Sequence, residues 1–217
     1  MQISAISTKE YNAPQVKQKP AFGVILRNDL PILKKPFLCV MSGPSGAGKD
    51  SVLHRFNEYH PDYFQKVVSY TTRPMRKGDV NGVDYHFITL EEFKKGIERD
   101  EFLEFENVYG DTFYGSKKKD VENALKSGKN VIMVIDVSGA ATIKQKMKDA
   151  VSLFILPPSF EELAQRLIKR GSESEKTLKV RLAKADWEMS LSKNFDVVVR
   201  NDNLSESAKD LEKIFNV

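Results

Sequence analysis

The stretch FLCVMSGPSGAGKDSVL at residues 37–53 contains residue types that bind phosphate, at a spacing that suits the task. Glycines let backbone N–H groups turn inward around a phosphate chain, and a lysine in the pattern G-x-x-x-x-G-K reaches the outer phosphates of a nucleotide. The loop follows an apolar run and opens into a helix-compatible segment, whose N-terminal dipole favours an anion. We therefore predict a nucleoside triphosphate site. Its loop comprises Gly43, Pro44, Ser45, Gly46, Ala47, Gly48 and Lys49.

Asp50 departs from this pattern, because the residue after the lysine normally offers a hydroxyl that binds magnesium. Magnesium coordination is oxygen-based, so a carboxylate is a chemically acceptable substitute. An unscreened carboxylate would repel the phosphates, whereas a bridging cation would make it a ligand. We predict that Asp50 supports Mg²⁺ directly or through water; the alternative is an ordinary helix-start aspartate, which the helix dipole favours. Ser51 also offers a hydroxyl, but it points about 100° away around the helix.

A second group of anion-binding residues follows in SYTTRPMRKGDVNGVDYHF at residues 69–87. Arg73 and Arg76 flank a proline that stiffens the turn, and Tyr85 lies a few residues beyond. Two guanidinium forks and a phenol can bind a second phosphate through charge-assisted hydrogen bonds. Arginine pairs on loops are more often merely solvated, so this prediction depends on the neighbouring motifs.

The elements that must position these residues alternate between strand and helix. Continuous apolar runs, typical of strands buried on both faces, occur at 37–41 (FLCVM), 66–70 (KVVSY), 130–135 (NVIMVI), 151–156 (VSLFIL) and 195–199 (FDVVV). Apolar residues at helical spacing occupy 50–59, 138–148, 159–169, 178–191 and 204–215. The order predicts an α/β fold with a parallel sheet covered by helices. Alternating aromatic segments between 72 and 115 predict a small, more antiparallel lobe.

Composition limits the possible classes of protein. The chain has 217 residues with 41% hydrophobic residues, enough for one compact unit with a small inserted lobe. A net charge of +4 falls short of the concentrated charge of a dedicated nucleic-acid binder, and no apolar run approaches the roughly 18 residues of a membrane helix. The single cysteine, Cys39, excludes an internal disulfide and suits a reducing compartment. We expect a soluble, cytoplasmic protein without nucleic-acid or membrane partners.

Residues 1–36 show no sustained period and contain four prolines. We interpret them as a loosely organised extension that is dispensable for chemistry. Their basic bias is also compatible with an organelle-targeting leader, but the prolines argue against the amphipathic helix that such a leader needs.

The succession of motifs resembles guanylate kinase. GPSGAGK is followed by S-x-T-T-R-x-x-R, N-G-x-D-Y-x-F, E-F-L-E and Y-G-S, and the similarity extends from residue 37 nearly to the C-terminus. The resemblance implies a P-loop nucleoside monophosphate kinase-like fold with a GMP-binding lobe at about 72–117 and a lid at about 170–181. It also implies transfer of a phosphoryl group from ATP to GMP, with Mg²⁺ as the metal.

The resemblance also implies roles on the GMP side. The positions that match Ser69 and Glu104 read the guanine base, and those that match Arg73, Arg76, Tyr85 and Tyr114 hold the GMP phosphate. Ser116 and Asp136 match further pocket positions. Guanine presents N1–H and an amino group side by side, so one carboxylate accepts from both, whereas adenine lacks that pair of donors.

On the ATP side, the resemblance implies three lid arginines, Arg166, Arg170 and Arg181, which would screen the phosphates during transfer. Asn201 and Asp202 match a segment that contacts adenine. The sequence departs from the family pattern at Val134, where many relatives have an acid two residues before Asp136. A carboxylate that could support the metal is therefore missing there.

Two other functions compete with this hypothesis. A guanylate-kinase-like interaction module would keep the fold and bind proteins, but such modules typically lose the phosphate loop and lid features that persist here. A kinase of AMP or UMP would not need Glu104 and Ser69. The predicted small-molecule partners are GMP and ATP, and both a monomer and a homodimer are compatible with the sequence.

Overall fold

The computed structural model describes residues 24–26, 36–169 and 175–217. Within these ranges the strands are β1 Val24–Leu26, β2 Leu38–Ser42, β3 Phe64–Lys66, β4 Tyr70–Thr71, β5 His86–Phe87, β6 Phe102–Tyr109, β7 Thr112–Lys117, β8 Asn130–Val134, β9 Val151–Leu156 and β10 Val197–Arg200. The helices are α1 Lys49–Tyr59, α2 Leu90–Glu98, α3 Lys118–Lys126, α4 Val137–Lys146, α5 Phe160–Lys169, α6 Glu175–Ser190 and α7 Leu204–Phe215, with a 3₁₀ turn at Leu191–Asn194. None of these helices is long and apolar enough to cross a membrane.

The main sheet has the strand order β1-β10-β9-β2-β8-β3, and all its pairings are parallel except that of β1 with β10. Successive residues of a strand point to opposite faces. Cys39 and Met41 accordingly pack with α1 and α7, whereas Leu38 and Val40 pack with α3 and α4. Helices therefore cover both faces of the sheet, which confirms the predicted α/β class and explains the continuous apolar runs.

A second sheet, with the order β5-β4-β7-β6, is formed by residues 70–117. Three of its strands are antiparallel, and β4 pairs with β5 in parallel. Helix α2 covers it with Phe93, whose fully buried ring stacks on Phe102 at 4.3 Å between centroids. This sheet corresponds to the region where the sequence predicts a separate antiparallel lobe.

The prediction of one core strand at 66–70 is wrong. The main sheet ends at Lys66 in β3, the Val67 N–H still donates to the Ile132 carbonyl at 2.9 Å, and Tyr70 begins β4 of the second sheet. One apolar run therefore contributes residues to both sheets, and Ser69 lies in the connection between β3 and β4. An apolar run indicates burial but does not identify the sheet that buries it.

Helices α2 and α3 were not predicted, although α2 carries a local signal. Thr89 and Glu92 form a capping box, in which Thr89 Oγ1 accepts from the Glu92 N–H at 3.2 Å and Glu92 Oε2 accepts from the Thr89 N–H at 2.7 Å. The pattern T-x-x-E marks such a helix start.

Three loops that follow parallel strands meet at the carboxyl edge of the main sheet. The phosphate loop follows β2, Asp136 follows β8, and Asn201 follows β10. Strand β2 lies between β8 and β9, so the connections diverge there, and ligands of open α/β sheets bind at such a point. The topology therefore indicates a ligand cleft at this edge.

Strand β1 lies within the segment predicted as an extension. It pairs with β10 through Val24 and Val199, Ile25 and Val198, and Leu26 and Val197, so it covers an edge of the sheet. Uncovered edges lose hydrogen bonds and promote association.

A chain that begins at residue 22 should keep the melting temperature of the full chain. A chain that begins at residue 36 should melt about 2–8 °C lower, for a loss of about 1–2 kcal/mol. Thermal unfolding and size-exclusion chromatography of both truncations check this, and equal melting temperatures would show that β1 contributes nothing.

Candidate active site

A cleft of about 750 Å³ lies at the carboxyl edge of the main sheet and faces the second sheet and α6. Most of the predicted site residues line it: Gly43, Ser45, Gly46, Gly48, Lys49, Asp50, Ser51, Ser69, Arg73, Arg76, Tyr85, Glu104, Tyr114, Asp136, Arg166, Arg181, Asn201 and Asp202. Pro44 and Ala47 belong to the loop without lining the cleft, and Ser116 is buried beside Ser69. The fold thus brings together residues that are up to 159 positions apart, from Gly43 to Asp202.

The phosphate loop depends on two glycines. Gly43 has φ +140°, and a Cβ there would lie 2.3 Å from the Ile155 carbonyl oxygen. Gly48 has φ +90°, and a Cβ there would lie 2.4 Å from Asn201 Nδ2. Both the left-handed backbone and the close approach exclude larger residues. Lys49 opens α1, and its Nζ donates to the carbonyl oxygens of Gly43 at 2.6 Å and Pro44 at 3.1 Å, so the ammonium lies over the loop.

Asn201 supports this loop from β10. Its Nδ2 donates to the Ala47 carbonyl at 2.8 Å, its Oδ1 accepts from Ser207 Oγ at 3.2 Å, and the residue is buried. Its neighbour Asp202 pairs with Arg200 on the surface. Asn201 therefore has a positioning contact that the sequence did not predict, while its predicted contact with adenine stays a prediction.

Asp50 lies in the first turn of α1, and its side chain is 74% exposed. Lys66, from the end of β3, brings Nζ within 3.3 Å of Asp50 Oδ1. This lysine also lines the cleft, and sequence reasoning missed it because the pairing depends on how β3 lies beside α1. The carboxylate is therefore already partly screened by a cation of the chain.

Among the described residues, no group of three His, Cys, Asp or Glu side chains could hold a metal ion. Magnesium does not need such a cage, because it keeps several waters and takes one or two carboxylates together with substrate phosphates. An exposed carboxylate beside a phosphate loop fits that requirement. The role of Asp50 as a ligand of Mg²⁺ stays a prediction.

The arginine cluster comprises Arg73, Arg76, Asp79, Tyr85 and Tyr114. Arg73 Nη2 donates to Asp79 Oδ2 at 2.8 Å, its Nη1 donates to the Pro74 carbonyl, and its guanidinium lies 5.6 Å from the Tyr85 ring centroid. Its side chain is only 11% exposed, whereas Arg76 is exposed to solvent.

Asp79 organises the cluster. Its carboxylate accepts from the Arg76 backbone N–H at 2.7 Å and from Arg73, and these hydrogen bonds lower the pKa of Asp79. Burial, together with the neighbouring Tyr114, raises the pKa of Tyr85 to about 12. Tyr85 therefore remains a neutral hydrogen-bond donor at physiological pH, as a phosphate ligand must.

Glu104 lines the cleft from β6, opposite Ser116 of β7, and is 5% exposed. Burial raises its pKa to about 7, the hydrogen bonds from Ser116 oppose that shift, and Asp136 adds to it. Ser116 Oγ lies 3.1 Å from Ser69 Oγ, where either hydroxyl can donate. These three side chains form a small polar pocket, and their roles in reading the base stay a prediction.

Helix α6 contributes charged residues that the sequence did not single out. Lys184 Nζ lies 3.4 Å from Glu106 Oε1 and 3.8 Å from Glu188 Oε1. Burial, together with a hydrogen bond that the protonated Glu106 donates to the Asp136 carboxylate, raises the pKa of Glu106. This group connects α6 with β6 across the cleft, and its partners lie too far apart in sequence for a local pattern to reveal them.

The predicted lid is described only in part. Residues 175–181 form the start of α6, which begins three residues before the predicted helix, and Arg181 lines the cleft. Arg166 of α5 donates from Nε to Glu162 at 3.1 Å and also lines the cleft. Arg170 lies outside the described residues.

The chain is similar to known proteins over most of its length. The model of the guanylate kinase family matches residues 35–217. The chain is 49% identical over 177 residues to the guanylate kinase of Clostridium perfringens strain SM101, which covers 82% of this chain and 81% of the relative. The chain belongs to the guanylate kinase family.

Two further members of the guanylate kinase family extend the comparison. The guanylate kinase of Chlamydia trachomatis serovar D is 43% identical over 180 residues, covering 83% of this chain and 87% of the relative. The crystal structure of guanylate kinase from Anaplasma phagocytophilum matches with a TM-score of 0.67 and 33% identity, covering 84% of this chain and 85% of that one. Family membership is thus supported by both sequence and fold.

Proposed function

We propose that this chain transfers the γ-phosphoryl group of ATP to GMP and forms ADP and GDP. Its membership of the guanylate kinase family supports this activity, with ATP as co-substrate. The observation that carries the proposal is one cleft that combines a phosphate loop, a separate arginine cluster and a buried carboxylate. Such a cleft suits two phosphorylated ligands, one of them bearing a base with paired donors.

The phosphate loop binds the triphosphate of ATP. Its backbone N–H groups and the dipole of α1 hold the phosphate chain, and Lys49 turns from the loop carbonyls to the outer phosphates. Arg166 and Arg181 add positive charge from α5 and α6. Phosphoryl transfer depends mainly on positioning and charge screening, so no protein nucleophile is required.

The second sheet binds GMP. Arg76 and the neutral Tyr85 hydroxyl donate to the phosphate together with Arg73, whose guanidinium is held in place by Asp79. The ionised Glu104 accepts from N1–H and the amino group of guanine, and Ser69 and Ser116 supply adjacent hydroxyls. GMP and ATP thus enter from opposite sides of one cleft, and exclusion of water favours transfer to GMP over hydrolysis.

Mg²⁺ is the metal we propose for this site, with Asp50 as its protein ligand, directly or through water. When bound, the ion would screen the phosphate charge that accumulates during transfer. Lys66 lies on the same carboxylate and competes with the ion for it.

Replacing Asp50 with alanine should increase the Mg²⁺ concentration needed for half-maximal activity several-fold. Asp50→Ser should recover much of the loss, because a hydroxyl is the usual ligand at this position. Lys66→Ala should shift the Mg²⁺ requirement in the opposite direction, since it frees the carboxylate. Mg²⁺ titrations at saturating ATP and GMP check all three variants. Identical curves for them and the wild type would leave Asp50 as a helix-start residue only.

Replacing Arg76 with lysine should raise the KM for GMP about tenfold, because an ammonium does not reproduce the two-pronged hydrogen bonding of a guanidinium group. The melting temperature should not fall, because the Arg76 side chain is exposed and its replacement changes no packing. Arg73→Lys should raise the same KM and also lower the melting temperature, because its guanidinium bridges Asp79 and the Pro74 carbonyl. Steady-state kinetics with thermal unfolding separate the two. A normal KM for GMP in both variants would refute the phosphate-binding role.

A coupled assay of ADP release with GMP, dGMP, AMP and UMP tests the proposed function. GMP should be the preferred acceptor. A preference for AMP or UMP would assign the chain to another nucleotide kinase, and absence of turnover with all four would favour an interaction module.

We further propose a cytoplasmic location, because the single cysteine is a buried thiol that suits a reducing compartment.

A further inference from the structure

Gly139 lies in the first turn of α4, at a position where the backbone does not need a glycine. It does not belong to the glycines with positive φ. An alanine in a helix is more favourable than a glycine by about 1 kcal/mol, so propensity alone would select against this residue. The reason for a glycine at this position must lie in what surrounds it.

The neighbour that a side chain would meet is the carboxylate of Glu104. A Cβ built on Gly139 lies 2.7 Å from Glu104 Oε2 and 3.3 Å from Glu104 Cδ, and 3.3 Å from Ile135 Cδ1. The first distance is below any ordinary contact with a carbon atom. The displaced atom is the end of a flexible side chain, so the fold can accommodate an alanine by moving the carboxylate. An alanine at residue 139 would therefore displace the Glu104 carboxylate and leave the fold intact.

The backbone around Gly139 has little freedom to withdraw instead. Its N–H donates to Asp136 Oδ1 at 2.8 Å, which caps the helix. At the other end of α4, Lys146 Nζ donates to the Leu103 carbonyl of β6. Helix α4 is thus attached to the strand that carries Glu104, which opposes a shift of the helix away from that strand.

We infer that Gly139 is a positioning residue for guanine recognition, because its missing side chain leaves the space in which the Glu104 carboxylate stands. The inference rests on the proposed function, in which that carboxylate accepts from N1–H and the amino group of the base. Two hydrogen bonds to one rigid edge tolerate little displacement. Gly139 would therefore act on base selection without touching the substrate.

Gly139→Ala should lower kcat/KM for GMP about 10- to 100-fold, the range that a displacement of about 1 Å produces. The KM for ATP should stay unchanged. The melting temperature should stay the same or rise. Preference for GMP over IMP should shrink, because IMP lacks the amino group and already makes only one of the two hydrogen bonds. Ser138→Ala, an exposed neighbour in the same turn, is the matched control and should behave as the wild type.

A double-mutant cycle with Glu104→Ala identifies the contact. If Gly139 acts through Glu104, adding Gly139→Ala to Glu104→Ala should cause no further loss with GMP. Should Gly139→Ala fold poorly, Glu104→Ala should restore its melting temperature, because the clash disappears with the carboxylate. Additive losses, or poor folding that Glu104→Ala does not relieve, would overturn the inference.

The cycle also separates the inference from the function on which it rests. If Glu104→Ala impairs GMP turnover while Gly139→Ala is normal, the inference is wrong and the base-reading role stands. If Glu104→Ala has normal GMP turnover, the base-reading role itself is wrong, and the inference fails with it.

Discussion

Replacing Lys49 with methionine is expected to lower kcat for GMP phosphorylation about 10²–10³-fold, the usual effect of removing one preorganised charge from a transition state. The ammonium lies 2.6 Å from the Gly43 carbonyl oxygen, directly over the loop that binds the phosphates. Methionine keeps the length of the side chain and removes its charge. Rapid-quench or coupled assays at saturating ATP and GMP measure the change in kcat.

The same ammonium also hydrogen-bonds to Gly43 and Pro44, so part of any loss could come from a disordered loop. Thermal unfolding and the affinity for ATP report on that part. Lys66→Met is the matched control, because Lys66 is another lysine of the cleft that lies outside the loop. Lys66→Met should lower kcat by less than about tenfold. A Lys49 variant as active as this control would contradict the role of the lysine in transfer.

Much of the main sheet could be predicted from the sequence, because strands buried on both faces need continuous apolar runs. The run at 151–156 and the helix at 204–215 match β9 and α7 residue for residue. The phosphate loop could be predicted for a related reason. Its glycines are required by backbone geometry, as at Gly43 beside the Ile155 carbonyl, and such requirements leave a readable pattern.

The run at 66–70 shows where this reasoning ends. Burial of Val67 gives the same signal whichever sheet receives it, and the change from β3 to β4 depends on pairing with β8 and β7, which lie far along the chain. Local periodicity cannot distinguish the two cases.

The charged partners in the cleft were hidden for a similar reason. Lys66 pairs with Asp50 over 16 positions, and Lys184 with Glu106 over 78. Isolated lysines and glutamates are most often solvated, so nothing local marks these pairs. Gly139 is a further case, because a glycine in a helix gains meaning only when the neighbouring Glu104 is known.

Replacing Glu104 is expected to have the second largest effect on GMP phosphorylation, after the replacement of Lys49. Glu104→Ala leaves the N1–H and amino donors of guanine without acceptors in a closed pocket, which should cost about 1.5–3 kcal/mol, or roughly 10- to 150-fold in kcat/KM for GMP. Turnover of AMP should not fall with it, since adenine lacks that pair of donors. Competition assays with both acceptors measure the change in selectivity. Equal kcat/KM for GMP in the variant and the wild type would show that another group reads the base.

The same carboxylate should make GMP binding depend on pH. Burial raises the pKa of Glu104 to about 7, so at pH 6 only about one tenth of the free enzyme carries the ionised acceptor. GMP should therefore bind about tenfold more weakly at pH 6 than at pH 8. Glu104→Gln removes the titrating group and should abolish this part of the pH dependence. The second ionisation of the GMP phosphate, near pH 6, affects both proteins and cancels in the comparison.

The free energy of unfolding should change with pH in the opposite sense. A carboxyl group whose pKa is raised in the folded state binds more protons when folded than when unfolded. Its stabilising contribution is complete below about pH 4.5 and is lost as the pH rises through about 7. The ligand-free wild type should thus lose stability between these values relative to Glu104→Gln, while its affinity for GMP increases. Denaturant titrations and GMP binding at pH 5, 6, 7 and 8 measure both trends. If the two proteins respond to pH identically in both measurements, Glu104 does not titrate in this range, and the carboxylate is not the proton-sensitive acceptor of guanine.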